Sequence, residues 1–497
     1  MKYKTSSCSI IPADFPDPDV IRVDDAYYMV STTMHFMPGC VILRSYNLIS
    51  WEFCAYVFDE LEYTEGQTLK DNKGIYGRGM WAASLRYHEG MFYVCFVAND
   101  THKTYLFTSD KITGPYKKTE VQGFFHDLSI LFDDDGKKYF VSGNRKITLT
   151  QMNDSLTAPE KDGINQIIIE DSDDALLGYE GSHFYKINGK YYLFFIHMPK
   201  GKMRTQACFV SDKITGPYKG CDVLQSDYNN WNSGIAQGGI VQANDGKWYG
   251  ILFQDHGALG RIPILVNVSF NNDGFPIFSA ENQISVPDNH PYYKYSPLFS
   301  DDFLKNGKLN PSWQFNHIPD KKLIEITDKK YKITTDKTVK NITQAINTLT
   351  QRTFTEKCSG EITVDASKIN EGDFAGLCAL EGEYSFAAVT KENGGFYLVL
   401  MNHKIPYSPW TMNVYDDQKA ELIEKFEIEN PVVKLRADFN LMKDIQSVQF
   451  FFDDMPFGNP CTLRYTLDMF VGVRFALFLF STEQYGGSAE FRDFKII

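Results

Sequence analysis

The sequence of 497 residues has no run of about 18 apolar residues, which argues against any membrane-spanning helix. Basic residues are outnumbered, 50 Lys and Arg against 63 Asp and Glu, giving a formal net charge of −13. That balance argues against nucleic acid or an anionic membrane as partner, and a neutral ligand would be indifferent to it. Cysteines number nine, at 8, 40, 54, 95, 208, 221, 358, 378 and 461, an odd and widely spaced set without a CxxC pair. Neither a disulfide framework nor a zinc site fits this spacing, and reduced thiols in a cytoplasm fit best. The start, Met1 to Cys8, is basic but lacks an apolar stretch, so it is not an intact secretory signal. A periplasmic or secreted protein whose signal has been removed is the alternative location. Sustained i, i+3/i+4 apolar stripes are also missing from the first 290 residues, which disfavours an α/β alternation there.

What the chain does have is aromatic side chains, 38 Phe and 29 Tyr, and a length that exceeds one hydrophobic core. It also has internal repeats. Ser109–Lys117 and Ser211–Lys219 both read SDKITGPYK, a solvated strand end and turn by composition. A looser unit recurs five times: an apolar strand, a turn of Asp, Asn or Gly, then a strand opening on an aromatic. Its tyrosines are Tyr28, Tyr93, Tyr139, Tyr192 and Tyr249, spaced 65, 46, 53 and 57 residues apart. Asn-Gly and Asp-Gly supply the positive φ that tight hairpins need. One hairpin in every ~50 residues, with strand-like sequence between, is the period of a four-stranded propeller blade. An all-β, five-bladed β-propeller is expected over residues 1–290.

The repeat serves as a ruler. Twelve residues before the tyrosine stand Trp81, Asp127, Glu180 and Gln237, and eleven before Tyr28 stands Asp17, where the turn is one residue shorter. Equivalent positions are related by the pseudo-rotation axis, so three carboxylates and a tryptophan are expected around one axial pocket. Singly, each has a plain structural reading: Asp17 as a Pro-Asp-Pro turn residue, Asp127 as a strand cap, Glu180 as a loop charge, Trp81 as core. At a common register those readings would have to be independent accidents. Clustered carboxylates raise at least one pKa, and glycoside hydrolysis needs one carboxyl held protonated beside one ionised.

At these residues the sequence resembles glycoside hydrolase family 43, the five-bladed propellers that include β-xylosidases, α-L-arabinofuranosidases and arabinanases. Ile10-Ile11-Pro12-Ala13-Asp14-Phe15-Pro16-Asp17-Pro18-Asp19 looks like the motif of the catalytic base, and the resemblance gives that role to Asp17. His126-Asp127-Leu128-Ser129 matches the segment of the pKa-modulating Asp127. Tyr179-Glu180-Gly181-Ser182-His183 matches that of the general acid, Glu180. Gly79-Met80-Trp81-Ala82 is similar to the tryptophan segment lining the sugar subsite, and Gly260-Arg261 resembles the site of a hydroxyl-binding arginine. Phe36 and Gln237 complete the expected substrate-binding set. The implied chemistry is inversion: Asp17 activates water opposite the leaving group while Glu180 protonates the glycosidic oxygen. Carboxyl groups about 6.5–9.5 Å apart would leave room for that water. No cofactor is required for this chemistry. Many relatives carry a His where Gln237 stands, in several of them contacting a central Ca²⁺, so a structural or activating Ca²⁺ is left undecided, with His256 as a substitute ligand.

The ruler stops near Gln283–Ser300, a Pro- and Tyr-rich stretch that reads as linker. Residues 299–497 alternate in short strands without the repeat and are expected to form a β-sandwich, similar to the concanavalin-like unit attached to many family members. Such a unit can add an aromatic side chain to the pocket wall and narrow it to accept a chain end. The expected function is therefore an inverting exo-glycosidase that releases terminal xylose or arabinofuranose from a small oligosaccharide. An arabinanase or galactanase of the same fold, and a non-catalytic glycan-binding propeller, are the alternatives. A homo-oligomer is compatible with the sequence.

Overall fold

In the computed structural model, residues 2–405, 417–466 and 469–497 are described. Five antiparallel sheets of four strands each follow one another from Asp19 to Ser279, every one a meander in chain order. The first hairpin closes on two positive-φ residues in blades two and four, Glu89-Gly90 and Asn188-Gly189, whereas in the Asp135-Gly136 and Asp245-Gly246 turns of blades three and five only the glycine is left-handed. The two SDKITGPYK copies join the third and fourth strands of blades two and four. Their tyrosines make the same bond, Tyr116 to Ile112 O at 2.8 Å and Tyr218 to Ile214 O at 2.9 Å.

The innermost strands are Asp19–Val23, Met80–His88, Ser129–Phe132, Leu177–Ile187 and Ala236–Gln242. A polar network crosses between them. Arg86 donates to Asp19 at 2.7 Å, to Ser129 Oγ at 2.7 Å and to Ile130 O at 2.9 Å, and its guanidinium lies over the Tyr185 ring. His183 bonds Asp19 at 3.2 Å, and the Tyr185 hydroxyl accepts from Ile240 N at 3.1 Å. All five blades thus meet on one buried arginine–aspartate–histidine–tyrosine cluster. Gly239 makes room for it, because a Cβ there would fall 2.6 Å from the Tyr185 hydroxyl and 2.9 Å from Asp19 Oδ1. Burial alone would raise the Asp19 carboxyl, but Arg86 and His183 outweigh it and hold it below the usual range.

The ring is tied off by Tyr3–Ser7 pairing antiparallel with Gln283–Pro287. That strand takes the first part of the stretch read from sequence as linker. Its alternating Ile284 and Val286, both buried, are the strand signal that the neighbouring prolines obscured. Beyond the connection, two sheets of seven strands among the described residues stack as a sandwich. One of them includes Leu349–Arg352, Arg474–Ser481 and Asp373–Leu380, and its outer face packs on the propeller. Met34, Phe36 and Tyr76 of the propeller share an apolar cluster with Leu380, Phe386, Phe478 and Phe480 of the sandwich. Helical structure among the described residues is confined to four three-residue 3₁₀ turns.

Candidate active site

The positions picked out by the ruler share a backbone feature. Asp17, Asp127 and Gln237 have φ of 52°, 48° and 57°, the left-handed region that is rare for residues with a Cβ. In blade four the left-handed residue is Gly181, next to Glu180, where a Cβ would meet the Gln237 side chain at 2.6 Å. Pairing between first and second strands also slips at Glu180, at Gln237 and at Trp81-Ala82. Such bulges at strand ends re-aim the side chains of Trp81, Glu180 and Gln237, and the left-handed backbone of Asp17 and Asp127 does so in the two blades whose pairing does not slip.

The result is a cavity of about 580 Å³ that Asp17, Trp81, Asp127, Glu180, Gln237 and Arg261 all line. The axial cluster of Arg86, Asp19 and His183 lies among the inner strands on which these residues stand. Asp17 is 6% exposed, with both oxygens engaged: Thr32 Oγ1 donates to Oδ2 at 2.7 Å and Arg261 Nη1 to Oδ1 at 2.8 Å. Asp127 Oδ2 accepts from Gly181 N at 3.0 Å, so this carboxylate grips the strand start that carries Glu180. Glu180 Oε2 accepts from Asn144 and meets His126 Nε2 at 3.4 Å, and His126 lies 3.7 Å from Asp127.

The charges of this cluster act on one another. Burial pushes Asp127 up; His126 opposes it, and the like charges of Glu180 and Asp17 add to it, leaving the carboxyl at about 6. Burial would lower His126, but Asp127 and Glu180 overcome that and raise it to about 9. A proton is thereby held in the cluster at mildly acidic pH, the condition for acid chemistry by a carboxyl group.

Phe36 is not part of the cavity wall. It is fully buried, its ring under the Arg474 guanidinium at 3.4 Å and beside His35 at 4.2 Å, because it joins the apolar cluster shared with the sandwich. The sandwich supplies an aromatic instead through Phe470, which stacks on Trp81 at 6.2 Å and 24°. The Arg261 guanidinium lies over Phe470 at 4.9 Å and Phe253 at 4.7 Å. Other wall residues escape sequence reasoning as well: His126, Asn144, Arg204 and Phe253 sit off the ruler. Arg204 pairs with Asp255, and burial together with Arg261 lowers its pKa to about 10. Asp14, in the same motif as Asp17, faces the domain seam and accepts from Arg261 N at 2.8 Å.

His126, Asp127 and Glu180 bring ligand atoms within 4.8 Å of one another, a set able to hold a metal ion. The propeller centre fits a divalent cation poorly. Arg86 and His183 already use both oxygens of Asp19, and the guanidinium supplies the positive charge there. His256 lies outside the cavity, stacked on Trp231 at 4.5 Å, and burial lowers its pKa to about 4.

A propeller whose inner strands aim paired carboxylates into one pocket, beside an arginine and two stacked aromatics, has the layout of an acid–base glycosidase site. The chain belongs to glycosyl hydrolases family 43, which residues 7–276 match, while residues 300–496 match the beta xylosidase C-terminal concanavalin A-like domain. It is 28% identical over 351 residues to a beta-xylosidase of Formosa agariphila, covering 62% of this chain and 58% of that protein. A non-reducing end alpha-L-arabinofuranosidase of Bacteroides ovatus is 26% identical, covering 66% and 64%. The chain thus spans about three fifths of the length of these relatives. Among solved structures, a bifunctional GH43-CE protein of Bacteroides eggerthii superposes with a TM-score of 0.89 at 37% identity, over 100% of this chain and 64% of that one.

Proposed function

We propose that this protein is an inverting, exo-acting glycosidase that removes terminal xylose or arabinofuranose from xylan-derived oligosaccharides. The observation that carries the reading is the convergence of Asp17, Asp127 and Glu180 on one cavity that also holds Arg261 and Phe470. Asp17 acts as base. Thr32 and Arg261 fix its orientation while a water approaches the anomeric carbon. Glu180, with Oε2 tied to Asn144 and His126, delivers its proton to the leaving oxygen from the other carboxyl oxygen. Asp127 holds the backbone of that acid and tunes the charge around it.

Exo action is supported by the sandwich: Phe470 walls the pocket against Trp81, so a chain end fits better than the middle of a polymer. Both a beta-xylosidase and an alpha-L-arabinofuranosidase are among the relatives, and terminal xylose and arabinofuranose present similar hydroxyl arrays to Arg261. We propose further that no Ca²⁺ is held at the propeller centre, since Arg86 occupies the charge position there. Dialysis against EDTA should leave the thermal midpoint and the rate unchanged; a loss restored by Ca²⁺ would contradict this.

The test is a side-by-side assay on aryl β-D-xyloside, aryl α-L-arabinofuranoside and debranched arabinan with wild type, Asp17→Asn and Glu180→Gln. Hydrolysis of the two aryl pentosides should fall by about 10²–10⁴-fold in each variant, with xylose still bound in calorimetry. Unchanged rates in both variants would remove the assignment. Turnover of debranched arabinan alone would favour the arabinanase reading.

A further inference from the structure

Two fully buried arginines face each other at the seam between propeller and sandwich. Arg352 and Arg474 are direct partners in the antiparallel ladder of Leu349–Arg352 with Arg474–Ser481, so their side chains leave the sheet side by side. They are 2% and 1% exposed. Like charges directly opposite one another destabilise a ladder, and arginine does not escape by losing its proton.

Their partners do not balance this charge. Arg352 donates from Nε to Asp14 O at 2.8 Å and its guanidinium neighbours the neutral Tyr56 hydroxyl, while Nη1 and Nη2 make no well-formed hydrogen bond. Arg474 donates from Nη1 to Gln314 Oε1 at 2.9 Å and Thr350 Oγ1 at 3.3 Å, and its Nε has none. The guanidinium planes rest on Phe15 at 4.4 Å and Phe36 at 3.4 Å. Among the described residues neither arginine forms an ion pair. Asp14 is the carboxylate that both act upon, but it also serves the Arg261 and Gly472 amides. Two cations stand against one acid, with three donor nitrogens lacking a well-formed hydrogen bond in a closed seam. Leaving such groups unpaired is among the costlier things a fold can do.

We propose that Arg352 and Arg474 bind a small monovalent inorganic anion, chloride in kind, at the interdomain seam. A monatomic anion accepts from several directions and needs the least room, which suits nitrogens pointing inward from two neighbouring strands. It would neutralise the pair and complete a tie from the sandwich, through Asp14, to the Arg261 backbone.

Crystals prepared in bromide should show an anomalous peak within hydrogen-bond reach of Arg352 Nη1 or Nη2 and Arg474 Nε. At constant ionic strength, replacing gluconate by chloride should raise the thermal midpoint saturably, by roughly 2–4 °C, and Arg352→Met should abolish the rise. Should Arg352→Met fail to fold, the wild-type bromide map decides alone. A map without the peak, together with a midpoint that follows ionic strength and not the anion, would overturn the proposal and leave ordered water in the seam.

Discussion

At the residue scale, the chemistry rests on how His126 and Asp127 set each other's charge beside Glu180. His126 is the informative case, because its imidazolium is held between Asp127 and Glu180 and its pKa rises to about 9. A folded-state pKa above the free value of 6.5 contributes stability that is full below pH 6.5 and lost as pH rises through 9. The shift corresponds to something on the order of 3 kcal/mol. Thermal midpoints measured between pH 6 and 10 should therefore fall in wild type, and His126→Gln should flatten that slope. An unaltered slope in the variant would mean that the imidazolium does not hold the cluster. Asp127 has the opposite sign: its carboxyl is raised to about 6, so its ionised form opposes folding as pH climbs past 3.8 toward and above 6. The residue is retained at that cost because Gly181 and the strand start of Glu180 depend on it.

At the scale of elements, the blade is the unit in which the sequence could be read. The hairpin turns, the aromatic pairs and the 12-residue ruler are local features, repeated often enough that five inner strands were legible along with the side chains they aim at the axis. Gln283–Pro287 was less legible, since proline and tyrosine nearby mask two inward-facing aliphatic residues. Arg204, Asn144 and Phe470 were not legible, because they enter the pocket from connections whose shape no repeat dictates. Phe36 shows the same limit from the other direction: an aromatic next to the first blade's hairpin was expected at the sugar, and the sandwich claims it for its core. Phe470 has a role that can be separated from folding. Phe470→Ala should raise KM and lower kcat/KM on the aryl pentosides on the order of tenfold, through loss of the stack on Trp81 and the contact with Arg261. Phe470→Tyr should restore most of it. A variant with wild-type kinetics would remove the sandwich from the pocket wall.

At the scale of the whole molecule, propeller and sandwich are bound by a seam that is apolar at its centre but carries buried titratable groups. His35 and His317, 5.1 Å apart by ring centroids, sit in it with Tyr76 and Asn316. Burial first, and the neighbouring His317 and Arg474 next, hold His35 well below its usual range, and burial lowers His317 to about 3. Both groups are neutral in the fold, so their contribution is complete above pH 6.5 and is lost as pH falls from there toward 3. Calorimetry from pH 4 to 8 should show the midpoint dropping below pH 6.5, with a shallower drop in His317→Gln, whose amide oxygen can still accept from Ile75 N. Identical acid limbs in the two proteins would place acid sensitivity elsewhere than in this seam.

The central claim is that Asp17 and Glu180 act from opposite faces of one sugar in a single displacement. Proton NMR of xylobiose hydrolysis, followed from the first seconds, reads this directly. The account predicts that α-xylose appears first and relaxes to the equilibrium mixture by mutarotation. If β-xylose appears first, the hydrolysis proceeds with retention, and the base and acid roles given to these two carboxylates are wrong.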